Sequence, residues 1–271
     1  MPKPKIPRIL TILCITLAFF LVPIYQKSNL FSQNQFENAK KDYAFHFLKY
    51  NDQRQKLSQA NSSYNTFKTV AAKNDLFIAT RDYLLQINNL YIAYINTVIE
   101  YSNEINWSKL SEKRAHINQK LESEKQYFRT HQPNIQNVTT LEELPPLSDD
   151  LRKYIEEQTK PAIYMAFITY EMANIQSTDE EFEQLLALVK TQLNLKLQSG
   201  ENTTISNWFS EINSIQQTSN TYLDGANAKF ENLDESVVNR RNLNEILQDT
   251  STTKNELKKS INLFEEVLQI L

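Results

Sequence analysis

Residues 76–105 read LFIATRDYLLQINNLYIAYINTVIEYSNEI. Written in sevens, Phe77, Leu84, Tyr91, Val98 and Ile105 fall in one column, Ile78, Leu85, Ile92 and Ile99 in another, and Thr80, Ile87, Tyr94 and Tyr101 in a third. Leu76, Tyr83 and Leu90 add a fourth, and only Asp82, Asn89, Asn96 and Asn103 make a wholly polar column. A helix that is apolar around most of its circumference has neighbours on several sides. The stretch therefore predicts the interior helix of an all-α domain.

The flanks extend this pattern. Upstream, Phe36, Tyr43, Tyr50, Leu57, Tyr64 and Ala71 recur every seven residues, which predicts a long first helix over 32–74 with a narrow coiled-coil seam and a weak point at Gln53-Arg54. Downstream, Trp107, Leu110, Ile117, Leu121 and Phe128 predict an amphipathic helix ending near Thr130. Pro133, Pro145 and Pro146 then predict a loop over 132–147, between a first helical segment (28–131) and a second (148–271).

In the second segment Ser148 is expected to cap a helix that Pro161 kinks, and Thr178-x-x-Glu181 to open the next as a capping box. Gly200 reads as its C-terminal cap. From Ile205 a 3-4 spacing predicts a long helix to about Asp249 that contains Gly225, and Thr253-x-x-Glu256 predicts a last helix carrying Leu257, Ile261, Phe264, Leu268 and Leu271. The sum is an elongated bundle of about six to seven helices.

Composition agrees. Two glycines in 271 residues leave little material for the left-handed turns, phosphate cradles and hairpins of Rossmann, P-loop or all-β folds. Of the 29 basic residues, Lys3, Lys5 and Arg8 lie in the first eight, so 26 face 32 acidic ones in the remainder, which does not suit a nucleic-acid binder.

Those three cations precede Ile9 to Tyr25, an uncharged, mostly apolar run. Seventeen helical residues span roughly 26 Å, just under the ~30 Å of a bilayer's hydrocarbon core. The positive-inside rule then predicts a short cytoplasmic tail (1–8), a signal anchor (9–26) and an extracytoplasmic remainder (28–271) in a bacterial-type envelope. Pro23 to Asn29 offers no small-x-small cleavage site, and secretion after cleavage is the alternative. Cys14, the only cysteine, follows Leu13 where a lipidation site wants a small residue, and it leaves the exported part without a disulfide.

No spacing points to catalysis, a cofactor or a metal. His46 with Asp42 and His116 with Glu112 sit four residues apart, which puts each pair on one helix face, but neither has the Glu-x-x-His pattern of di-iron bundles. The sequence thus points to a non-enzymatic, membrane-anchored scaffold or interaction module that meets a helical partner or a second copy of itself. The last seam, Leu257, Ile261, Phe264, Leu268 and Leu271, is the candidate contact. The alternative is a sensor-like bundle with a ligand pocket at Asn88, Tyr91, Tyr94 and Trp107, relaying through a partner.

Overall fold

A computed structural model describes residues 30–197 and 203–270. Its α-helices are α1 (Leu30–Phe67), α2 (Val70–Tyr101), α3 (Ser111–Gln136), α4 (Leu144–Tyr154), α5 (Lys160–Leu197), α6 (Thr203–Glu231) and α7 (Arg240–Ile270), and no strand occurs among the described residues. The all-α bundle follows the hydrophobic spacing. No helix among the described residues is long and apolar enough to cross a membrane, and the expected anchor over 9–26 lies outside them.

The first long helix stops earlier than the heptads suggest. Lys68 takes a left-handed conformation (φ 49°), and the Thr69 side chain accepts the Ala72 amide at 3.1 Å, so two residues close a helical hairpin. A glycine-poor chain here uses a lysine where glycine is the usual solution. Helix α1 passes through Gln53 and Arg54 without a break. It runs antiparallel to α2, with Phe36 against Tyr101 (5.3 Å between ring centroids), Thr97 Oγ1 donating to the Ala39 carbonyl (3.0 Å) and the Tyr50 and Tyr83 hydroxyls sharing a hydrogen bond (2.9 Å). Helix α1 packs chiefly against α2, through a cluster of its own built on Tyr43, Tyr50, Leu90 and Ala93.

The loop expected over 132–147 is mostly helical, which corrects the sequence reading. Helix α3 carries Pro133 within its last turns because His131 and Ile135 on either side are buried. Their burial offsets the ~3 kcal/mol that a proline costs a helix interior. Irregular chain is confined to about 137–140; a 3-10 turn over Leu141–Glu143 follows, and α4 starts with its prolines at the first positions, where no amide is needed. Ser148 lies inside α4 rather than capping it. The two segments are not separately cored, because one apolar cluster runs from Leu84 through Leu144 and Leu151 to Leu257.

Where the sequence places a kink at Pro161, a π turn over Ile155–Thr159 joins α4 to α5. The Lys160 amide reaches back to the Ile155 carbonyl, the wider loop that lets the proline ring clear the preceding turn. The capping box at Thr178 does not start a helix. Thr178 Oγ1 donates to the Asn174 carbonyl (2.8 Å) inside α5, and buried Ile175 and Phe182 carry the helix across it. The expected helix from 205 to 249 is two helices. Residues 232–239 turn through an Asp234 side chain that accepts the Ser236 amide (2.9 Å), and Asn239 caps α7 by accepting the Arg241 amide (2.9 Å). Thr253 consequently lies in mid-helix, donating to Asp249. Gly200 lies outside the described residues.

Successive long helices alternate in direction. Antiparallel α2 and α3 are matched at Asn88–His131 and Ser102–Asn118, α3 and α5 with their flanking turns at Glu124–Thr159 and Lys109–Glu180, α5 and α6 at Gln176–Asn227 and Glu183–Gln216, and α6 and α7 at Lys229–Asp249 and Ser219–Thr253. Gly225 sits inside α6 facing α7, and a Cβ added there would meet Asp249 Oδ2 at 3.5 Å, an ordinary contact. Gly225→Ala should therefore raise the unfolding free energy by about 0.5–1 kcal/mol through the helix term alone. Urea titration measures it, and a destabilised variant would mean that α6 and α7 need a closer approach.

Candidate functional site

A group of polar side chains, several of them buried, lies where α2 and α3 meet the junction of α4 with α5. It is built on the polar column of α2. Gln132 on α3 donates to Asn89 Oδ1 (2.6 Å), buried Lys125 reaches Asn96 (3.4 Å) and Glu122 (2.6 Å), and Arg114 donates to Asn103 Oδ1 (2.6 Å). Each asparagine of the column is thus answered from α3. On an otherwise apolar helix such amides favour one register, because a shifted pairing would lose these hydrogen bonds, half-buried at Asn89 and Asn96, and strand buried Lys125.

One helical position over, Asn88 is fully buried. Its Nδ2 donates to the Leu84 carbonyl (2.9 Å), so the oxygen faces His131 Nδ1 at 3.3 Å. That oxygen can only accept, which assigns the ring proton to Nδ1 and leaves Nε2 as a buried lone pair with no hydrogen-bond partner. Desolvation holds His131 below its ordinary pKa, with the Asp150 charge acting weakly the other way. The neutral ring belongs to the fold. Its stabilisation is present above the ordinary histidine range, near pH 6.5, and is lost as pH falls toward the depressed folded value. The stability difference between wild type and His131→Gln should accordingly move against wild type between pH ~7.5 and pH ~5.5; a difference independent of pH would show that His131 is solvated.

Glu124 is the second buried group, at 2 % exposure. Its carboxylate accepts from Thr159 Oγ1 (3.0 Å) in the π turn and lies 3.5 Å from Lys120 Nζ, a lysine that reaches solvent. Burial, then the charge and hydrogen bond of Glu124, push the Tyr154 hydroxyl up to about 12. Tyr154 also stacks on Tyr127, which stacks on His131 in turn. The π turn, the carboxylate and the histidine therefore belong to one packed layer in which most polar atoms have partners within the layer.

The four residues of the expected ligand pocket go to different neighbours. Tyr91 stacks on Phe128 of α3 (5.0 Å, 10°), and Asn88 joins His131 there. Tyr94 turns to α1, against Tyr43 (5.3 Å). Trp107, in the connection before α3, sets its ring edge-on to Tyr170 of α5 (5.6 Å) and donates Nε1 to the Ser102 carbonyl (2.7 Å). Burial raises the hydroxyl pKa of Tyr91 and of Tyr170.

The expected contact seam is divided. Leu257 is buried at 2 % exposure within the intramolecular core, whereas Ile261 is exposed at 39 %. The side chains of Phe264, Leu268 and Leu271 lie outside the described ones. The heptad stripe of α1 is also used internally, since Ala39, Tyr43 and Tyr50 are buried. Among its described side chains α1 leaves outside Phe45, exposed at 50 % with Lys49 lying over its ring, Leu48, exposed at 70 %, and Phe67 at its last position.

The histidine pairs serve different helix junctions. His46 accepts the Gln86 amide at Nδ1 (3.1 Å), so Nε2 carries the proton toward Asp42 (3.7 Å). His116 pairs with Glu235 in the α6–α7 connection (2.9 Å), not with Glu112. Among the described residues no three histidine, cysteine or acidic side chains gather closely enough to hold a metal. An open groove of about 410 Å³ runs between the second half of α1 and the start of α2, lined by Gln53, Lys56, Ala60, Asp75, Ile78 and Asp82, among others.

No family model, curated protein or solved structure matches this chain. Sequence reasoning missed His131, Glu124, Lys125 and Thr159 as interior groups, and only the asparagine column signalled that α2 met a polar neighbour.

Proposed function

We propose that this chain is a single-pass, membrane-anchored extracytoplasmic helical scaffold or interaction module, without enzymatic activity. The observation that carries the reading is the uncharged run Ile9–Tyr25 behind Lys3, Lys5 and Arg8, followed closely by a helical body. The internal pairing of the buried polar groups supports a load-bearing or spacing role, since those groups hold α2, α3 and α4 in register. A helical partner or a second copy would meet the outer face of α1 at Phe45 and Leu48. The rings suggested for a ligand pocket each pack on a different neighbour, Phe128, Tyr43 and Tyr170, which favours the scaffold over the sensor-like reading.

Full-length protein in its membrane gives the test. Retention through a carbonate wash, with the helical body digested by protease added from the extracytoplasmic side, is the expected result. Release of the chain, or a mature N-terminus beyond Tyr25, overturns the anchor.

A further inference from the structure

We infer that the end of the bundle formed by the C-terminal part of α5, the start of α6 and the end of α7 rests against the phospholipid bilayer that holds the anchor. This builds on the anchor reading above and adds a second contact with the membrane. Phe36 on α1 lies level with Tyr101 (5.3 Å), and Tyr101 with Tyr170 on α5 (5.9 Å). Toward its start α1 continues only to Leu30, about 9 Å further.

Helix α5 runs antiparallel to α1, because each of the pairs α1–α2, α2–α3 and α3–α5 is antiparallel, the last by the reversed matches Glu124–Thr159 and Lys109–Glu180 at the helix ends. It therefore heads to the same side as the start of α1. Gln176 lies about as far past Tyr170 as Leu30 lies past Phe36, yet α5 goes on to Leu197, roughly 31 Å beyond that level. The α6 start and the α7 end accompany it, as the Glu183–Gln216 and Ser219–Thr253 matches require.

On the anchor reading, the uncharged run that ends at Tyr25 joins the body at this side, where α1 starts. Even fully extended, the chain from Tyr25 to Leu30 reaches only about 17 Å. An upright bundle would drive the α5–α7 end well below the bilayer surface. The bundle must instead tilt until that end lies along the surface. Its described side chains suit such a contact: Leu185 and Leu188 are exposed on α5 at 39 % and 65 %, with Lys190 following. Leucines that enter the headgroup layer beside a lysine that stays among the phosphates are what an interfacial helix presents.

The test uses the full chain in vesicles of phosphatidylcholine and phosphatidylglycerol. Cys14→Ser removes the one native thiol, and Leu188→Cys or Ser206→Cys places an environment-sensitive dye near the contact, each at an exposed site outside the core. Lys68→Cys, at the hairpin turn on the opposite end, is the control. Chain that survives a carbonate wash, with lipid-borne quencher dimming the dye at 188 and 206 at least about twofold more than at 68, is the expected result. Chain that is retained but shows equal quenching at all three positions overturns this inference and leaves the anchor standing. Chain that washes off the vesicles overturns the anchor and, with it, the second contact.

Discussion

Phe128→Ala should lower the unfolding free energy by about 3–5 kcal/mol, the range for deleting a ring from a packed core. Phe128 is fully buried, its ring stacked on Tyr91 at 5.0 Å and set edge-on to Tyr127 at 5.5 Å and to Tyr154 at 6.4 Å. It joins three helices at once, so a cavity there has no single neighbour able to fill it. Denaturant titration reads the loss, and Phe128→Leu, which keeps much of the volume, should recover a large part of it. A Phe128→Ala loss below about 1 kcal/mol would mean that the α2–α3–α4 layer is far looser than these contacts require.

Leu257→Ala should cost about 2–5 kcal/mol while leaving the oligomeric mass unchanged. The reason is where the side chain points: Leu257 is buried within a single chain, among the residues that hold α7 to the body, close to the Lys254–Glu171 ion pair (2.7 Å). Ile261→Ser, one turn on and exposed, should leave stability within about 0.5 kcal/mol. Equilibrium sedimentation beside thermal unfolding separates the two. If Leu257→Ala changed the mass instead, the seam would lie between chains.

How much of this was legible in the sequence can be argued element by element. The interior character of α2 was plain, since only one of its seven columns is wholly polar, and the heptads of 36–71 signalled α1 but carried it past its end at Phe67. What failed was punctuation. Capping boxes at Thr178 and Thr253 have the right residues for a helix start, but a threonine inside a helix can satisfy its hydroxyl on the carbonyl four residues back, as both do here. Local signals of ~1 kcal/mol lose to buried neighbours such as Phe182 and Leu257. Proline failed in the opposite direction: at 145 and 146 it opens a helix, and at 133 it is carried by the burial of His131 and Ile135. The histidine–asparagine contact could not be read, because it joins positions 43 residues apart whose pairing depends on the turn between α2 and α3.

The one-sided attachment of α1 has a mechanical consequence. The described helix that comes first after the proposed anchor is also the one with a single principal partner, held by a small cluster separate from the main core. Tension between membrane and body would enter the protein along the axis of α1 and act in shear on its surface with α2. Subglobal opening favours a helix covered on one side only, so α1 should detach as a unit while α2 to α7 stay folded, and its amides should exchange with solvent well before those of α2. The thirty-eight residues of this helix would then serve as an extensible link, taking up strain before the load reaches the layer around Phe128.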